Sequence, residues 1–286
     1  MLRLLFLFLF LFATSAARAQ ETPPLASLTL TAARTPAETA LLVGRSFLGK
    51  PYVPHTLDRH ETEQLVVDFG RFDCTTFLET TLALTLALHQ AGGPAAPEKL
   101  DPVFRKKLTQ LRYRNGLLDG YASRLHYFSD WLADNEKKGL LQDVTRHIGG
   151  MAVSKPVNYM TATTWKYPAL TDPAVFRQVA QVEESLSKQP FWFVPKARIR
   201  DIEHHLKDGD IIMLTAARPG LDMKHVGLAC WQQGRVHLLH ASSEQGQVVL
   251  TQRPLADYVL WNKRLSGIRV ARLKDPAQPM MVRADK

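Results

Sequence analysis

The sequence has little cysteine, with two in 286 residues, at positions 74 and 230. Two thiols are too few for a disulfide framework or a four-thiolate zinc site. The composition is otherwise ordinary, because 45% of the residues are hydrophobic and 22% are charged. That balance excludes a disordered chain or a collagen-like one.

Several functional motifs are also absent. The sequence contains neither His-Glu-x-x-His nor Cys-x-x-Cys, and the adjacent His204 and His205 point apart in a regular element. It lacks the Gly-x-Ser-x-Gly elbow of serine hydrolases, a phosphate-binding loop and a dinucleotide fingerprint. We therefore expect no bound metal and no cofactor.

The one long apolar run, Leu4 to Phe12, follows a single basic residue, Arg3. Nine residues are too few to cross about 30 Å of hydrocarbon. Ala17-Arg18-Ala19 then supplies the small residues of a signal-peptidase site, with no nearby cysteine for a lipid anchor. Residues 1–19 are thus predicted to be a signal peptide, and the mature protein to be exported, soluble, and periplasmic or extracellular.

The positive charge of the chain has two interpretations after export. Removing residues 1–19 lowers the net charge from +9 to +7, with 34 basic and 27 acidic side chains left. The basic residues are scattered and form no nucleic-acid motif, so no nucleic-acid partner is expected. The charge suits either an anionic wall polymer or simple solubility. The sequence does not indicate an oligomeric state.

The periodicity of the mature chain changes halfway along. Helical signals come first, at about 36–48, 73–89, 101–113, 129–138 and 172–188. Short β-rich runs follow at 211–215, 225–231, 236–242, 248–253 and 267–273. This order predicts an α+β fold with helices packed on an antiparallel sheet. We expect an N-terminal extension at 20–34, one domain at 35–273 and a tail at 274–286.

Cys74 follows Asp73, which has the character of a helix N-cap. The first turn of a helix offers unpaired N–H groups and the positive end of the helix dipole. Both would stabilise a nucleophilic thiolate and the oxyanion that forms when it attacks an amide. Two alternatives remain open, because Cys74 could instead be a core residue or form a disulfide with Cys230.

Two histidines are predicted to lie near each other on adjacent strands. A two-residue turn at Gln233-Gly234 would pair Trp231 with Val236 and place His225 and His240 on one face, about 7–8 Å apart at the backbone. His237 falls on the other face. His225 and Cys230 are an odd number of residues apart, so if His225 faces the helix of Cys74, Cys230 points away and is a packing residue. Cys74 as nucleophile, His225 as base and His240 as orienting group would complete a triad.

Motifs along nearly the whole mature chain resemble the NlpC/P60 cysteine peptidases, and most closely their domain-of-unknown-function 1460 branch. The matching segments are Gly49-Lys50-Pro51-Tyr52-Val53, Phe72-Asp73-Cys74, 120–131, 149–150, 158–160, 208–212, 220–222, 225–227 and 240–243. The resemblance implies a papain-like α+β core with extra helical insertions. It also implies an N-acetylmuramoyl-L-alanine amidase that prefers small muropeptides, including 1,6-anhydro forms.

The resemblance assigns Cys74, His225 and His240 to the nucleophile, base and third polar position. Tyr52 matches the tyrosine beside the nucleophile, and Asp73 either binds substrate or only caps its helix. The remaining candidates for substrate binding are Arg124, His126, Tyr127, Asn158 and Asp222.

Structural roles compete with several of these assignments. Arg124, His126 and Tyr127 form either a substrate wall, with Arg124 gripping a stem-peptide carboxylate, or a structural network around Trp131. Trp165, Tyr167 and Trp192 could stack on a sugar or pack in the core. Thr75-Thr76 departs from the Ser-Gly that often follows the cysteine in the wider superfamily, which argues against the specificity of that wider group.

Three functions follow from this interpretation. The first is a cysteine amidase that cleaves muramic acid from L-alanine through a thioester. The second is the γ-D-glutamyl-L-diamino-acid endopeptidase activity of the same superfamily. The third is a non-catalytic protein that binds the cell wall, which the intact set of Cys74, His225 and His240 disfavours.

Overall fold

The computed structural model describes residues 35–274. The predicted signal peptide, the predicted extension at 20–34 and the predicted tail beyond residue 274 lie outside the described residues.

Helices dominate the first half of the described chain. The α-helices are α1 (Pro36–Ser46), α2 (Cys74–Gln90), α3 (Pro97–Arg112), α4 (Phe128–Lys137), α5 (Tyr159–Ala162), α6 (Pro173–Ser187), α7 (Ile199–Ile202) and α8 (Leu255–Trp261). Within residues 35–274, none of them combines the length and hydropathy needed to cross a bilayer.

The strands form one sheet in which every pairing is antiparallel. They are β1 (Leu141–Asp143), β2 (Met151–Val153), β3 (Phe191–Pro195), β4 (Ile211–Ala216), β5 (Met223–Gln232), β6 (Arg235–Ser242), β7 (Gln247–Leu250) and β8 (Leu265–Leu273). Their order is β2-β3-β8-β4-β5-β6-β7, and β1 also pairs with β8. The predicted α+β class is confirmed.

Apolar side chains bury both faces of the sheet. On one face, α1 and α2 pack through residues such as Phe77 against Val226 and Leu228 of β5. On the other, α7 and α8 pack through residues such as Val259 against Leu238 of β6. A separate apolar cluster joins α5 and α6 to the beginning of α4. The central strands β4, β5 and β6 are therefore covered on both sides.

Most predicted elements have their expected positions. Thr35 caps α1 with a capping box, and Asp73 caps α2 in the same way. The start predicted for α3 is wrong, because this helix begins at Pro97 and contains Pro102 in its interior. Pro102 is the sixth residue of the helix, so the hydrogen bond that its N–H would make to Glu98 O is missing, and its side chain is exposed. The sequence patterns missed β1, β2, β3 and the two short helices α5 and α7, together with α8.

Candidate active site

Cys74 is the first residue of α2, which makes it the side chain closest to the positive end of that helix. Asp73 fixes this end, because its Oδ1 accepts from Thr76 N–H at 2.8 Å while its own N–H donates to Thr76 Oγ1 at 2.9 Å. Asp73 Oδ2 accepts from Thr56 Oγ1 at 3.3 Å. The carboxylate of Asp73 thus caps the helix and contacts the loop of Thr56, as expected of the capping role rather than of substrate binding.

The Cys74 thiol lies against the beginning of β5. Hydrogen bonds from the backbone of Val226 and from Thr75 reach it, which puts the sulfur next to the residue that follows His225. Burial, with a smaller contribution from the Asp73 charge, raises the pKa of the thiol to about 12. The expected thiolate is therefore not the resting form, because desolvation outweighs the helix dipole and the hydrogen bonds. The sulfur thus rests as a neutral thiol, which would need a base to act as a nucleophile.

Tyr52 lies beside this thiol. The segment at 49–53 is hydrogen bonded on both sides, since Val53 N–H donates to Phe72 O at 2.8 Å and Tyr52 N–H donates to Gly246 O at 2.8 Å. Burial, followed by the charges of Cys74 and Asp73, raises the pKa of Tyr52 to about 12. The phenol is therefore protonated at neutral pH and is available as a hydrogen-bond donor next to the sulfur.

The two candidate histidines meet on adjacent strands. Gln233 and Gly234 form the turn between β5 and β6 with φ angles of 50° and 75°, and Trp231 pairs with Val236 as predicted. His225 Nε2 is 2.5 Å from His240 Nδ1, with the ring centroids 4.7 Å apart and the planes at 88°. The prediction that these imidazoles meet is confirmed.

Gly227 provides the space for the second ring. A Cβ atom at this position would lie 2.7 Å from Leu239 O and 2.9 Å from His240 Cβ. Any side chain at residue 227 would consequently displace His240, the partner of His225.

The face predicted for these residues needs a correction. His240 contacts the Tyr258 ring of α8 at 5.8 Å, so the histidine pair lies on the α7–α8 face. Cys230 lies on the opposite face, in the core under α1 and α2, where Arg45 Nη2 donates to its sulfur at 2.9 Å. The alternation was right, but the condition attached to it is not met, because His225 faces α8, and Cys230 therefore points towards α2. Cys230 is nevertheless the buried packing residue that was predicted. Both cysteines are free thiols.

The electrostatics of the pair favour a neutral base. Burial, together with the nearby His240 and Lys224, holds the pKa of His225 well below 6.5, and burial lowers the pKa of His240 to about 4. Because His225 Nε2 is occupied by His240, the ring nitrogen left to take a proton is Nδ1. Within residues 35–274, no hydrogen bond joins the Cys74 sulfur to either imidazole. Proton transfer from the thiol requires these groups to approach when substrate binds.

Arg124 is already occupied by two carboxylates of its own chain. Its Nη2 is 2.5 Å from Asp58 Oδ1, and its Nε is 3.3 Å from Glu63 Oε1. The guanidinium also lies 5.0 Å from the centroid of the Tyr121 ring. A substrate carboxylate would have to compete with Asp58, so the structure favours the network alternative for Arg124, with the two acids rather than Trp131 as its partners.

His126 and Tyr127 have structural surroundings. His126 Nε2 is 2.9 Å from Tyr121 O, and burial beside Arg124 lowers the pKa of this histidine to about 3. Tyr127 is buried, and its hydroxyl donates to Glu183 Oε1 at 2.5 Å while accepting from the Met160 N–H. Tyr127 therefore fastens α4 to α5 and α6.

Asn158 and Asp222 also have contacts within the fold. The buried Asp222 carboxylate accepts from Ser129 N–H at 2.7 Å and from Met223 N–H at 2.6 Å, and burial raises its pKa. It thus stabilises the beginning of α4. Asn158 is exposed, and its N–H donates to Gly220 O at 3.0 Å.

Residues outside the predicted set complete the surroundings. Lys224, immediately before His225, is exposed, as are Lys166 and Arg218 on neighbouring loops. Trp165 is 75% exposed and free to stack on a ligand, whereas Trp192 lies under the Arg146 guanidinium at 5.2 Å. Lone basic residues carry no sequence signal that separates them from the other surface cations.

Two other features lie apart from this site. A cavity of about 480 Å³ between α4 and α6 contains none of the candidate residues; its lining includes Arg114, Asp130 and Gln178. Among the described residues, no three histidine, cysteine or acidic side chains converge in a way that could hold a metal ion.

Comparisons with known proteins bear on the family and the fold. A family model described as N-acetylmuramoyl-L-alanine amidase-like matches residues 42–268. A solved N-acetylmuramoyl-L-alanine amidase from Bacteroides uniformis is 36% identical with a TM-score of 0.78, covering 84% of this chain and 99% of that chain. A Bacteroides fragilis protein described as a xylanase is 38% identical with a TM-score of 0.76, covering 81% of this chain and 100% of that chain.

A more distant structure shares the fold. A Legionella pneumophila protein of the domain-of-unknown-function 1460 family is 21% identical with a TM-score of 0.61, covering 84% of this chain and 90% of that chain. A comparison with curated proteins gave no match.

Proposed function

Because the chain belongs to the N-acetylmuramoyl-L-alanine amidase-like family, we propose that it is an exported cysteine amidase that separates N-acetylmuramic acid from L-alanine in peptidoglycan fragments. The observation that carries this proposal is the bonded pair of His225 and His240, because His225 directly precedes Val226, whose backbone reaches the Cys74 sulfur at the beginning of α2. A helix-terminal thiol and an oriented imidazole are the parts that acyl transfer through a thioester needs.

The first chemical step forms the thioester. Cys74 Sγ attacks the carbonyl carbon of the muramoyl amide while its proton passes to His225 Nδ1. The carbonyl oxygen becomes an oxyanion, and we assign its stabilisation to the Cys74 N–H and the Tyr52 hydroxyl. The first N–H of a helix has no acceptor inside the helix, so it is available for this purpose.

The remaining steps release both products. The oxyanion collapses, the C–N bond breaks, and His225 gives its proton to the leaving amine of L-alanine. Water then attacks the thioester as His225 accepts a proton from it, and the thiolate that leaves recovers that proton from His225. His240 accepts a hydrogen bond from His225 Nε2–H throughout, which keeps Nδ1 directed at the reacting atoms.

Two other activities are weaker candidates. Glycoside hydrolysis, suggested by the name of the Bacteroides fragilis relative, uses two facing carboxyl groups, whereas the thiol and the imidazole form a nucleophile–base combination. The γ-D-glutamyl-L-diamino-acid endopeptidase uses the same catalytic groups on a different bond. Because the chain belongs to a family described as N-acetylmuramoyl-L-alanine amidase-like, we favour cleavage of the amide bond between N-acetylmuramic acid and L-alanine.

Digestion of 1,6-anhydro-muramoyl tetrapeptide, followed by mass analysis, tests the activity. We expect the wild type to release free 1,6-anhydro-N-acetylmuramic acid and a peptide that begins with L-alanine. Cys74→Ala should release neither, while Cys230→Ser, which changes the other thiol, should keep the activity. An L-alanyl-D-glutamyl fragment still attached to the sugar would instead identify the endopeptidase.

Export is a separate part of the proposal and rests on residues 1–19 alone. Expression of the full chain in a bacterial host, followed by N-terminal sequencing of the periplasmic fraction, checks it. Cleavage after Ala19 is the expected result. Retention of the uncleaved chain in the cytoplasm would contradict export without bearing on the amidase chemistry.

A further inference from the structure

Two basic side chains, Lys166 and Arg218, lie over the Tyr159 ring, and the charge of a third, Lys224, also acts on its hydroxyl. The Arg218 guanidinium carbon is 4.8 Å from the ring centroid, and Lys166 Nζ is 5.3 Å from it. Lys166 also donates to the Tyr159 hydroxyl at 2.8 Å. That hydrogen bond is the main cause of a lowered pKa at Tyr159, to which the charges of Arg218 and Lys224 add. The four side chains form one cluster, called the Tyr159 cluster below.

Backbone contacts hold the cluster in place. The N–H groups of Asn158 and Tyr159 both donate to Gly220 O at 3.0 Å, which ties the Tyr159 segment to the loop that carries Arg218. Gly220 has a φ of +77°, and a Cβ there would lie 2.4 Å from Asn158 Oδ1. Only glycine suits both the positive φ and the lack of space for a Cβ at this position. The arrangement is therefore fixed by the fold rather than by flexible side chains alone.

The Tyr159 cluster adjoins the candidate base. Lys224 immediately precedes His225 on β5, at the point where the pairing with β4 shifts register. The charge of Lys224 also contributes to the lowered pKa of His225. A ligand held by Lys224 would consequently lie close enough along β5 for its charge to act on His225.

No carboxylate of the chain neutralises these cations. Within residues 35–274, none of Lys166, Arg218 and Lys224 forms an ion pair, and all three are exposed. Arg124, by contrast, is bound to two acids of its own chain. Cations that are gathered together repel each other, and an anionic ligand would relieve that repulsion.

We propose that Lys166, Arg218 and Lys224 form a carboxylate-binding subsite for the acidic stem peptide of the substrate, an inference that rests on the proposed amidase function. The proposed reaction determines on which side of the site the peptide part of the substrate lies. His225 must protonate the leaving amine, so the peptide part of the substrate extends from the His225 side, where Lys224 lies. The stem peptide carries carboxylates. Amidation of a carboxylate removes the negative charge that the subsite would bind.

Two substrates that differ by one charge test this subsite. They are N-acetylmuramoyl-L-alanyl-D-glutamate and N-acetylmuramoyl-L-alanyl-D-isoglutamine, in which an amide replaces one carboxylate. Because an exposed ion pair contributes up to about 1 kcal/mol, we expect the wild type to favour the diacid roughly fivefold in kcat/KM. The double variant Lys166→Gln/Arg218→Gln should lose this preference, and the matched control Lys106→Gln on α3 should keep it.

The outcomes separate this inference from the proposed activity. If the double variant retains the wild-type preference, or if the wild type has none, the subsite is refuted while the amidase stands. If the wild type cleaves neither of these substrates nor the 1,6-anhydro-muramoyl tetrapeptide, the amidase fails. Calorimetric binding of the dipeptides L-alanyl-D-glutamate and L-alanyl-D-isoglutamine then decides the subsite alone. Tighter binding of the diacid that disappears in the double variant supports it, and equal binding overturns it.

Discussion

The reactivity of Cys74 gives a quantitative test of the neutral-thiol state. Its pKa is raised from an ordinary 9.0 to about 12, mainly by burial. Three pKa units correspond to a thiolate fraction about a thousandfold below that of an ordinary thiol at neutral pH. We therefore expect Cys74 to be alkylated by iodoacetamide roughly a thousandfold more slowly than N-acetylcysteine at pH 7.

The assay uses the Cys230→Ser variant, so that one thiol remains. Pseudo-first-order alkylation rates are followed by intact mass from pH 6 to pH 10. Below the thiol pKa the thiolate fraction rises tenfold per pH unit, so the logarithm of the rate should climb with a slope near one throughout this range. His225→Ala should change this profile little, because the imidazole is neutral in the resting protein.

A different profile would refute this account. A rate that is high and independent of pH near neutrality would mean that Cys74 rests as a thiolate paired with an imidazolium. The same variant, His225→Ala, would then slow alkylation markedly. That result would restore the stabilised thiolate that the helix N-terminus alone predicts, and it would place the proton on His225 before substrate arrives.

Three further predictions follow from individual contacts. Gly227→Ala places a Cβ within 3 Å of neighbouring atoms and should lower kcat by more than about tenfold, while circular dichroism shows a folded protein; unchanged turnover would mean that the histidine pair is not needed. His126 has its pKa lowered to about 3, so its stabilising effect is full above its unfolded pKa of about 6.5 and is lost as the pH falls towards 3. His126→Gln should therefore flatten the dependence of the unfolding free energy on pH in that window, and an unaltered slope would contradict the assignment. Glu79→Gln breaks the buried pair with Arg112, whose atoms are 2.6 Å apart, and should cost about 3 kcal/mol in urea unfolding. The exposed pair mutant Asp101→Asn should cost less than about 1 kcal/mol, and equal losses would contradict the importance of burial.

Short-range chemistry explains which features could be predicted from sequence. The cap at Asp73 and the turn at Gln233-Gly234 are encoded by a few adjacent residues, and both have their expected form. Because strand alternation is strict, the turn also determines that His225 and His240 meet. Local rules were therefore enough to predict the helix that begins at Cys74 and the histidine pair.

Features that depend on distant residues could not be predicted in this way. Burial of the Cys74 sulfur by β5 reverses the pKa shift that its helix position suggests. The sequence pattern made Arg124 a candidate for substrate binding. In the structure its guanidinium instead forms ion pairs with Asp58 and Glu63, which lie in a loop far away in sequence. Which face of the sheet α2 covers is likewise a property of the whole fold, so the side of Cys230 was misassigned.

The most direct test of the central claim is to trap the acyl-enzyme. Wild-type protein is mixed with 1,6-anhydro-muramoyl tetrapeptide, quenched in acid within milliseconds, digested with a protease and analysed by mass spectrometry. The account predicts a muramoyl adduct on the peptide that contains Cys74, and none in Cys74→Ala. Turnover of the substrate without any adduct, and with full activity retained in Cys74→Ala, would contradict it.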